Sequence, residues 1–343
     1  MVVAAIRYAM RLFRLFKVRP MRKALVVGIN DYPSNPLRGC VEDALSIKSV
    51  LDAHGDGTPN FETKLLTSPG DTVTRATLKA AITALFSGNN DVALLYFSGH
   101  GFIDSNGGFL VTTDATNYDE GVTMDYVLNA AIQSKAKDKV IILDCCHSGA
   151  CAAPTIIGNN VSMLPEGLSI LTASRDSEYA YEGVFTPLVV NALQGGAADV
   201  RGHITPGSIY AYVDQALGLW DEQRPIFKTN VTRFTSLRTI QPRVPHATLR
   251  KLIEYFPVPQ EEHQLDPSYE FTNSKDALPP TIKDPIANPV KVAIMKDLQQ
   301  LVSVGLVTPV GEEHMYFAAM NSKACRLTAL GAHYWNLVKK RKI

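Results

Sequence analysis

Two apolar runs in this chain each lead into residues that could do nucleophilic chemistry. The run LLYF at 94–97 continues into SGHG, which contains His100, and the run IIL at 141–143 continues into DCCHSG, which contains Cys145 and Cys146. A thiol beside an imidazole forms a thiolate–imidazolium pair, a strong nucleophile at neutral pH. A cysteine or histidine alone is more often a buried small side chain or a hydrogen-bonded loop residue. Both types in Gly/Ser-flanked turns after apolar runs favour a catalytic pair.

The elements that must position this pair alternate between strand and helix from residue 24 onward. Continuous apolar runs predict buried strands, and apolar residues at helical spacing predict helices between them. The predicted strands are 24–29, 62–66, 91–97, 139–143, 168–172 and 226–233, and the predicted helices are 41–54, 74–86, 123–132, 186–193 and 206–217. This alternation predicts a mainly parallel sheet covered on both faces, with active residues beyond the carboxyl ends of the strands.

The paired motifs SGHG and DCCHSG resemble those of the metacaspases and bacterial caspase-like cysteine peptidases, over residues 22–238. Further matching segments are KALVVGIN, LRGCVEDA, LTASR at 171–175, Phe185-Thr186 and QRPIF. The cysteine follows the histidine by 46 positions, near the caspase spacing of about 50. The resemblance implies a caspase-like three-layer α/β/α sandwich acting as a cysteine endopeptidase.

The catalytic roles follow from the resemblance, position by position. Cys146 is the expected nucleophile, with Cys145 pointing elsewhere. His100 would protonate the leaving amine and then activate the hydrolytic water. The backbone N–H groups of Gly101 and Cys146 would bind the oxyanion. The sequence shows no third member of a triad.

The resemblance also implies a substrate pocket for a basic residue at P1, the residue before the cleaved bond. The expected lining is Asp43 and Asp144, with Cys40 and Ser98 as its smaller members. Two desolvated carboxylates favour Arg or Lys and repel an acidic P1. The caspase signature QAC[RQG]G is absent, and Leu37 replaces the arginine that caspases carry. The alternative for Asp43 is a helix-start acid stabilised by the helix dipole.

Self-cleavage is not expected in the loop after the nucleophile, where many relatives process themselves. Between Cys146 and Arg175 the chain contains no Lys or Arg. A peptidase specific for basic P1 residues would therefore stay a single chain there. Any self-processing would fall near basic residues at either end of the peptidase domain: Arg19, Arg22, Lys23, Arg238 or Arg243.

No cofactor is predicted, and calcium is kept as an alternative. Calcium-dependent relatives carry an acidic insertion after the histidine. Here that stretch holds Asp104, Asp114, Asp119, Glu120 and Asp125, a sparse set for a cage of oxygen ligands. These acids are interpreted as turn and cap residues, and no metal site is expected.

The carboxy-terminal region divides into a proline-rich linker, 239–289, and an ordered module, 290–343. The spacing predicts a helix at 290–304, a hairpin of 306–309 and 315–319, and a last helix entered by LTALG at 327–331. This order resembles a winged helix. Glu312 and Glu313 at the expected wing tip would repel phosphate, so a protein partner is favoured over nucleic acid.

The amino-terminal residues 1–21 form a basic, amphipathic extension. Residues 1–23 carry seven bases and no acid, whereas residues 24–238 carry a net charge of −9. The extension is interpreted as an interfacial helix for an anionic membrane surface or a partner. The alternatives are a frayed extension, or a start assigned too early with Met21 as the true first residue. Five cysteines without a CxxC pair favour a reducing cytoplasm over a disulfide scaffold or a zinc site. The rival function is a non-catalytic caspase-like adaptor or a DNA-binding regulator.

Overall fold

The computed structural model describes residues 21–104, 107–116, 119–145, 164–174, 183–218, 223–274 and 282–343. These residues fall into two compact units. The first unit, called the sheet unit, runs up to Ala198 and includes His203–Ile240. The second, called the carboxy-terminal unit, comprises Asp199–Gly202 and Gln241–Ile343.

The sheet unit is built on six strands: β1 (Arg22–Ile29), β2 (Glu62–Ser68), β3 (Val92–Ser98), β7 (Asp138–Asp144), β8 (Leu168–Thr172) and β10 (Ile226–Asn230). Their order in the sheet is β10-β8-β7-β3-β1-β2. All neighbours pair in parallel except β10, which is antiparallel to β8. The mainly parallel sheet expected from the sequence is confirmed.

Five helices cover the two faces of this sheet: α1 (Cys40–Asp52), α2 (Arg75–Phe86), α3 (Met124–Gln133), α4 (Phe185–Asn191) and α5 (Pro206–Leu217). One apolar core contains residues of α2 and α3, and the core on the other face contains residues of α1, α4 and α5. A π-helical turn, Ala192–Gly196, follows α4. Threonine caps begin three of the helices, where the side chains of Thr74, Thr123 and Thr205 accept hydrogen bonds from backbone N–H groups of the first turn.

A small antiparallel sheet after His100 is absent from the sequence prediction. It consists of β4 (Gly101–Asp104), β5 (Gly107–Thr116) and β6 (Asp119–Thr123). Along β5 buried and part-buried residues alternate up to Thr113. Its sequence GGFLVTTDAT, however, begins with two glycines and places its apolar residues side by side, which masks that period. A two-stranded pair, β9 (His203–Ile204) with β11 (Arg238–Thr239), completes the unit.

The acidic residues in and next to this small sheet have local structural roles. For some of them this role is the one that the sequence predicts. Asp114 accepts the backbone N–H of Arg75 at the start of α2, and Asp125 lies in the first turn of α3. Asp119, however, lies in β6 and forms an ion pair with Arg75, so it links two elements and is not a turn residue.

The carboxy-terminal unit contains α6 (His246–Arg250), α7 (Leu252–Tyr255), β12 (His263–Gln264), a 3₁₀ turn at Pro267–Tyr269, α8 (Pro289–Ser303), β13 (Val307–Val310), α9 (Met315–Met320), β14 (Ala324–Leu327) and α10 (Ala329–Lys339). Its three strands form a sheet in the order β12-β14-β13. Two expectations for this region differ from the structure.

The segment expected to be an extended linker is instead packed. Its apolar residues Val244, Leu249, Leu252, Phe256 and Leu265 are buried in the same core as α8 and α10. Several of its prolines begin short helices and do not extend the chain: Pro245 precedes α6, and Pro267 and Pro289 occupy first helical turns.

The predicted second strand of the hairpin, 315–319, is the helix α9. The strand that pairs with β13 is β14. Along its other edge, β14 pairs with β12. The segment MYFAAM contains alanine and methionine, which favour helix, and His314 caps it by accepting the backbone N–H of Tyr316.

Candidate active site

The two predicted motifs follow neighbouring strands at one edge of the sheet. Strands β3 and β7 pair in parallel, and the register places Ser98 opposite Asp144. His100 and Cys146 each lie two residues beyond this pair in the chain. Cys146 itself lies outside the described residues, as do residues 147–163. Because of this register, the two strand ends that precede the histidine and the cysteine lie side by side.

The imidazole of His100 has a defined partner on one side. Its Nε2 lies 2.7 Å from the backbone oxygen of Asn35. A carbonyl oxygen can only accept a hydrogen bond, so Nε2 carries the proton. In the neutral ring the lone pair is then on Nδ1, which is the nitrogen able to take a proton from a thiol or a water.

The ring and backbone of His100 are also fixed by Tyr32. The two rings have centroids 4.6 Å apart, and the backbone N–H of His100 donates to the Tyr32 hydroxyl at 2.9 Å. That hydroxyl donates in turn to the carbonyl of Val111. A side chain at Gly99 would place its Cβ 2.5 Å from the Tyr32 oxygen, so only glycine permits this close approach.

Asn35 is a functional residue that sequence reasoning missed. Its carbonyl orients His100 across 65 positions of chain, and a backbone group leaves no residue-type signature. One indirect signal exists, because Asn35 has φ of 66° and asparagine is among the few residues that adopt this left-handed conformation readily. The partner that the structure gives the imidazole of His100 is therefore a backbone carbonyl.

A surface cavity of about 300 Å³ opens beside the imidazole. It is bounded by the β1–α1 loop on one side and by the small sheet on the other. Its lining includes Tyr32, Asn35, His100, Gly101, Phe102 and Glu120. Gly101, the expected oxyanion donor, is thus at the cavity and begins β4 directly after the histidine.

The four predicted pocket residues come together beside the same edge. Cys40 and Asp43 lie in the first turn of α1, and the Ser98 hydroxyl donates to Asp43 Oδ2 at 3.4 Å. Asp144 is the register neighbour of Ser98. A Cβ at Gly28 would lie 2.2 Å from the Cys40 carbonyl, so this glycine of the KALVVGIN segment allows α1 to pack close to β1.

A hydroxyl chain connects Asp144 to the interior. Thr186 Oγ1 donates to Asp144 Oδ2 at 2.5 Å, and the Tyr96 hydroxyl lies 2.6 Å from Thr186 Oγ1. Tyr96 and Thr186 are both buried. Burial raises the pKa of Tyr96 well above its usual value, and the charges of Asp144 and Asp43 raise it further. Both carboxylates therefore lie close enough to Tyr96 for their charges to act on its hydroxyl.

Cys145 is buried in the core on the α2 and α3 face of the sheet. A buried thiol in an apolar cluster is inert, which agrees with the expectation that Cys145 points away from the site. Leu37, where caspases carry an arginine, packs against that same core.

Among the described residues, no group of three or more His, Cys, Asp or Glu could hold a metal ion. Within the same residues, no helix is both long and apolar enough to cross a membrane.

A model of the family described as Caspase domain matches residues 21–234, more than half of the chain, so this chain belongs to the caspase family. Membership implies a cysteine peptidase acting on protein substrates. No curated protein matches the sequence.

Two solved structures are similar to part of this chain. A protein of Geobacter sulfurreducens is 17% identical and covers 65% of this chain and 98% of its own, with a TM-score of 0.47. Caspase-1 of Spodoptera frugiperda is 13% identical and covers 65% of this chain and 92% of its own, with a TM-score of 0.48.

Proposed function

We propose that this caspase-family chain is a cysteine endopeptidase with a His100–Cys146 dyad that cleaves proteins after arginine or lysine. The main support for the proposal is the register of β3 and β7. Because of this register, the two motifs follow paired positions at the carboxyl ends of neighbouring strands. Asp43, Ser98 and Asp144 lie at or beside these strand ends.

In the proposed mechanism Cys146 attacks the carbonyl carbon of the scissile peptide bond, and its thiol proton passes to Nδ1 of His100. The backbone N–H groups of Gly101 and Cys146 bind the oxygen of the tetrahedral intermediate. His100 then protonates the leaving amine, and a thioester remains on Cys146. His100 next takes a proton from water, whose attack on the thioester releases the acid product and the thiol.

The role of Asn35 in this cycle is to keep the imidazole in one tautomer and one orientation. When His100 becomes doubly protonated, the carbonyl of Asn35 still accepts from Nε2 and stabilises the cation. A backbone acceptor cannot be protonated at neutral pH, so it keeps this function through both halves of the reaction.

The proposed preference for a basic P1 side chain follows from the negative charge of the pocket. A guanidinium or ammonium that enters between Asp43 and Asp144 gains two ionic hydrogen bonds, whereas an acidic P1 side chain meets two like charges. This chain is therefore expected to differ from caspases that cleave after aspartate.

The test is a set of fluorogenic peptides that differ only at P1, assayed with the whole chain and with Cys146→Ala. We expect turnover after Arg and Lys, none after Asp, and none by the variant. Equal rates for the wild type and Cys146→Ala would exclude the dyad. Turnover after Asp in preference to Arg would exclude the pocket assignment.

We further propose that the chain is active without cleavage in the loop after the nucleophile. Because residues 147–174 contain no Lys or Arg, intact-mass measurement of the active protein should show no fragment that ends there. Three of the other candidate self-cleavage sites lie in strands: Arg22 and Lys23 in β1, and Arg238 in β11. A chain split within 147–174 would contradict the proposed specificity.

We propose a protein-docking role for the carboxy-terminal unit as a winged-helix-like module. One support for this role is the strand order β12-β14-β13, with helices before and after these strands in the sequence. A second is the position of Glu312 and Glu313 between β13 and α9. Filter binding of duplex DNA at low salt tests this role. Affinity that falls steeply as salt rises would instead support a DNA-binding regulator.

A further inference from the structure

The two carboxylates of the proposed pocket share a buried neighbour, the hydroxyl of Tyr96. Tyr96 and Ser98 are two residues apart on β3 and therefore lie on the same face of the sheet. Ser98 donates to Asp43, and Thr186 connects Tyr96 to Asp144. Tyr96 has no exposed surface and Thr186 is 1% exposed, so this network lies behind the pocket and out of reach of substrate.

The direction of the hydrogen bonds can be worked out from the donors. The hydroxyl of Thr186 has one proton, and the carboxylate of Asp144 can only accept, so Thr186 donates to Asp144. Thr186 Oγ1 must then accept from Tyr96 at 2.6 Å. The chain runs from Tyr96 through Thr186 to Asp144, and each donor orients the next.

We propose that Tyr96 and Thr186 are positioning residues that hold the Asp144 carboxylate in one orientation and thereby set the preference for arginine over lysine at P1. The proposal rests on the function proposed above and adds to it the residues that determine selectivity within basic substrates. Neither residue contacts substrate; both act through Asp144.

The physical reason is the difference between the two cations. A guanidinium forms two parallel hydrogen bonds to a carboxylate, so it needs the carboxylate plane in a fixed orientation. An ammonium is a compact charge that tolerates a rotated carboxylate. Loss of the chain should therefore weaken the recognition of arginine more than that of lysine. A merely structural role would lower both to the same extent.

The experiment measures kcat/KM for a matched pair of peptides with Arg or Lys at P1, using the full chain. We expect Thr186→Val to lower the value for Arg about tenfold and the value for Lys about twofold, so the Arg/Lys ratio falls about fivefold. Thr186→Ser keeps the hydroxyl and should keep the ratio of the wild type.

Two further variants separate positioning from stability. Thr186→Val leaves the buried Tyr96 hydroxyl without this acceptor, so the double variant Tyr96→Phe/Thr186→Val, which removes both partners, should recover thermal stability but not the ratio. The matched control is Thr83→Val. Thr83 and Tyr126 form a hydroxyl pair of the same length, 2.6 Å, between α2 and α3, and its loss should leave the ratio unchanged.

An unchanged ratio in Thr186→Val, or a ratio that recovers together with stability in the double variant, would overturn the proposal and leave the proposed function intact. If Thr186→Val does not fold, the Arg/Lys ratio of the double variant alone decides. A wild type that cleaves after neither Arg nor Lys would instead refute the proposed function, and this inference with it.

Discussion

Each of the two units holds a carboxylate next to a tyrosine, but the surroundings of the two carboxylates differ. In the carboxy-terminal unit, Asp297 accepts hydrogen bonds at 2.6 Å from the Lys251 ammonium and from the Tyr255 hydroxyl. In the sheet unit, the donor described for Asp144 is the neutral hydroxyl of Thr186, itself connected to Tyr96. A lysine neutralises the charge of its partner, whereas a hydroxyl orients a carboxylate and leaves its charge in place.

The consequence is a division between structural and functional acids. Burial opposes ionisation of Asp297, but the hydrogen bonds from Lys251 and Tyr255 outweigh it and lower the pKa of Asp297. This carboxylate therefore connects α7 to α8 and stabilises the fold. Asp144 lies at the end of β7, and the proposed specificity assigns its charge to the binding of a cationic P1 side chain.

The largest effect that separates the two acids is expected from Asp144→Asn. This variant keeps the shape and the acceptor oxygen for Thr186 but removes the charge. We expect kcat/KM for an Arg-P1 peptide to fall about 100-fold or more, because one partner of a desolvated ionic pair is lost. The rate of alkylation of Cys146 by iodoacetamide should not change. Unchanged turnover would contradict the role of Asp144.

The second prediction concerns stability rather than activity. Asp297→Asn should destabilise the carboxy-terminal unit by about 1–2 kcal/mol, since Lys251 and Tyr255 lose a charged acceptor. Trp335 is buried in this unit and donates to the Phe256 carbonyl, so its fluorescence reports unfolding. The sequence has one other tryptophan, Trp220, which can be replaced by Phe in both chains. A midpoint in urea equal to that of the parent would show that Asp297 is not structural.

The pH dependence of this difference gives a third, finer test. The pKa of Asp297 is lower in the folded chain than in the unfolded one. Its stabilisation is therefore complete above the ordinary value of about 4 and is lost as pH falls through the lowered folded value. The stability gap between the parent and Asp297→Asn should be constant near neutral pH and should narrow as pH falls below about 4. A gap that widens toward low pH would contradict the assignment.

The smallest effect is expected at an exposed acid. Asp52 pairs with Lys48 one turn away on α1, and both side chains are about one-third exposed. Asp52→Asn should change stability by less than about 0.5 kcal/mol, because solvent screens such pairs. Urea unfolding of the whole chain measures this, and a loss as large as that of Asp297→Asn would remove the contrast between the more buried Asp297 and the more exposed Asp52.

The sheet was predictable from the sequence because its four inner strands contain apolar runs. The bounds 168–172 and 206–217 agree with β8 and α5, and the remaining strands and helices of the six-stranded sheet differ by a few residues at their ends. The small sheet after His100 and the helix α9 were missed, since short glycine-rich or mixed segments carry no clear period. The packed segment 244–269 was missed because its prolines, which begin helices, resemble those of a linker.

The site was predictable only where residue type carries information. His100, Asp43 and Asp144 stand in recognisable motifs, and the structure places the pocket residues together. The carbonyl of Asn35 and the hydroxyl chain through Thr186 depend on contacts across 65 and 42 positions. Such contacts are made by the tertiary fold, so a local sequence pattern does not report them.

Two arginines of the sheet unit have their guanidinium groups engaged by the chain's own backbone. Arg22 donates to the carbonyls of Ser236 and Leu237, and Arg238 donates to those of Ala53 and Leu193. An enzyme with the proposed specificity would be able to cut neighbouring copies of itself after arginine. With these side chains occupied and their backbone held in strands, concentrated enzyme would be protected from mutual digestion at both margins of its catalytic body.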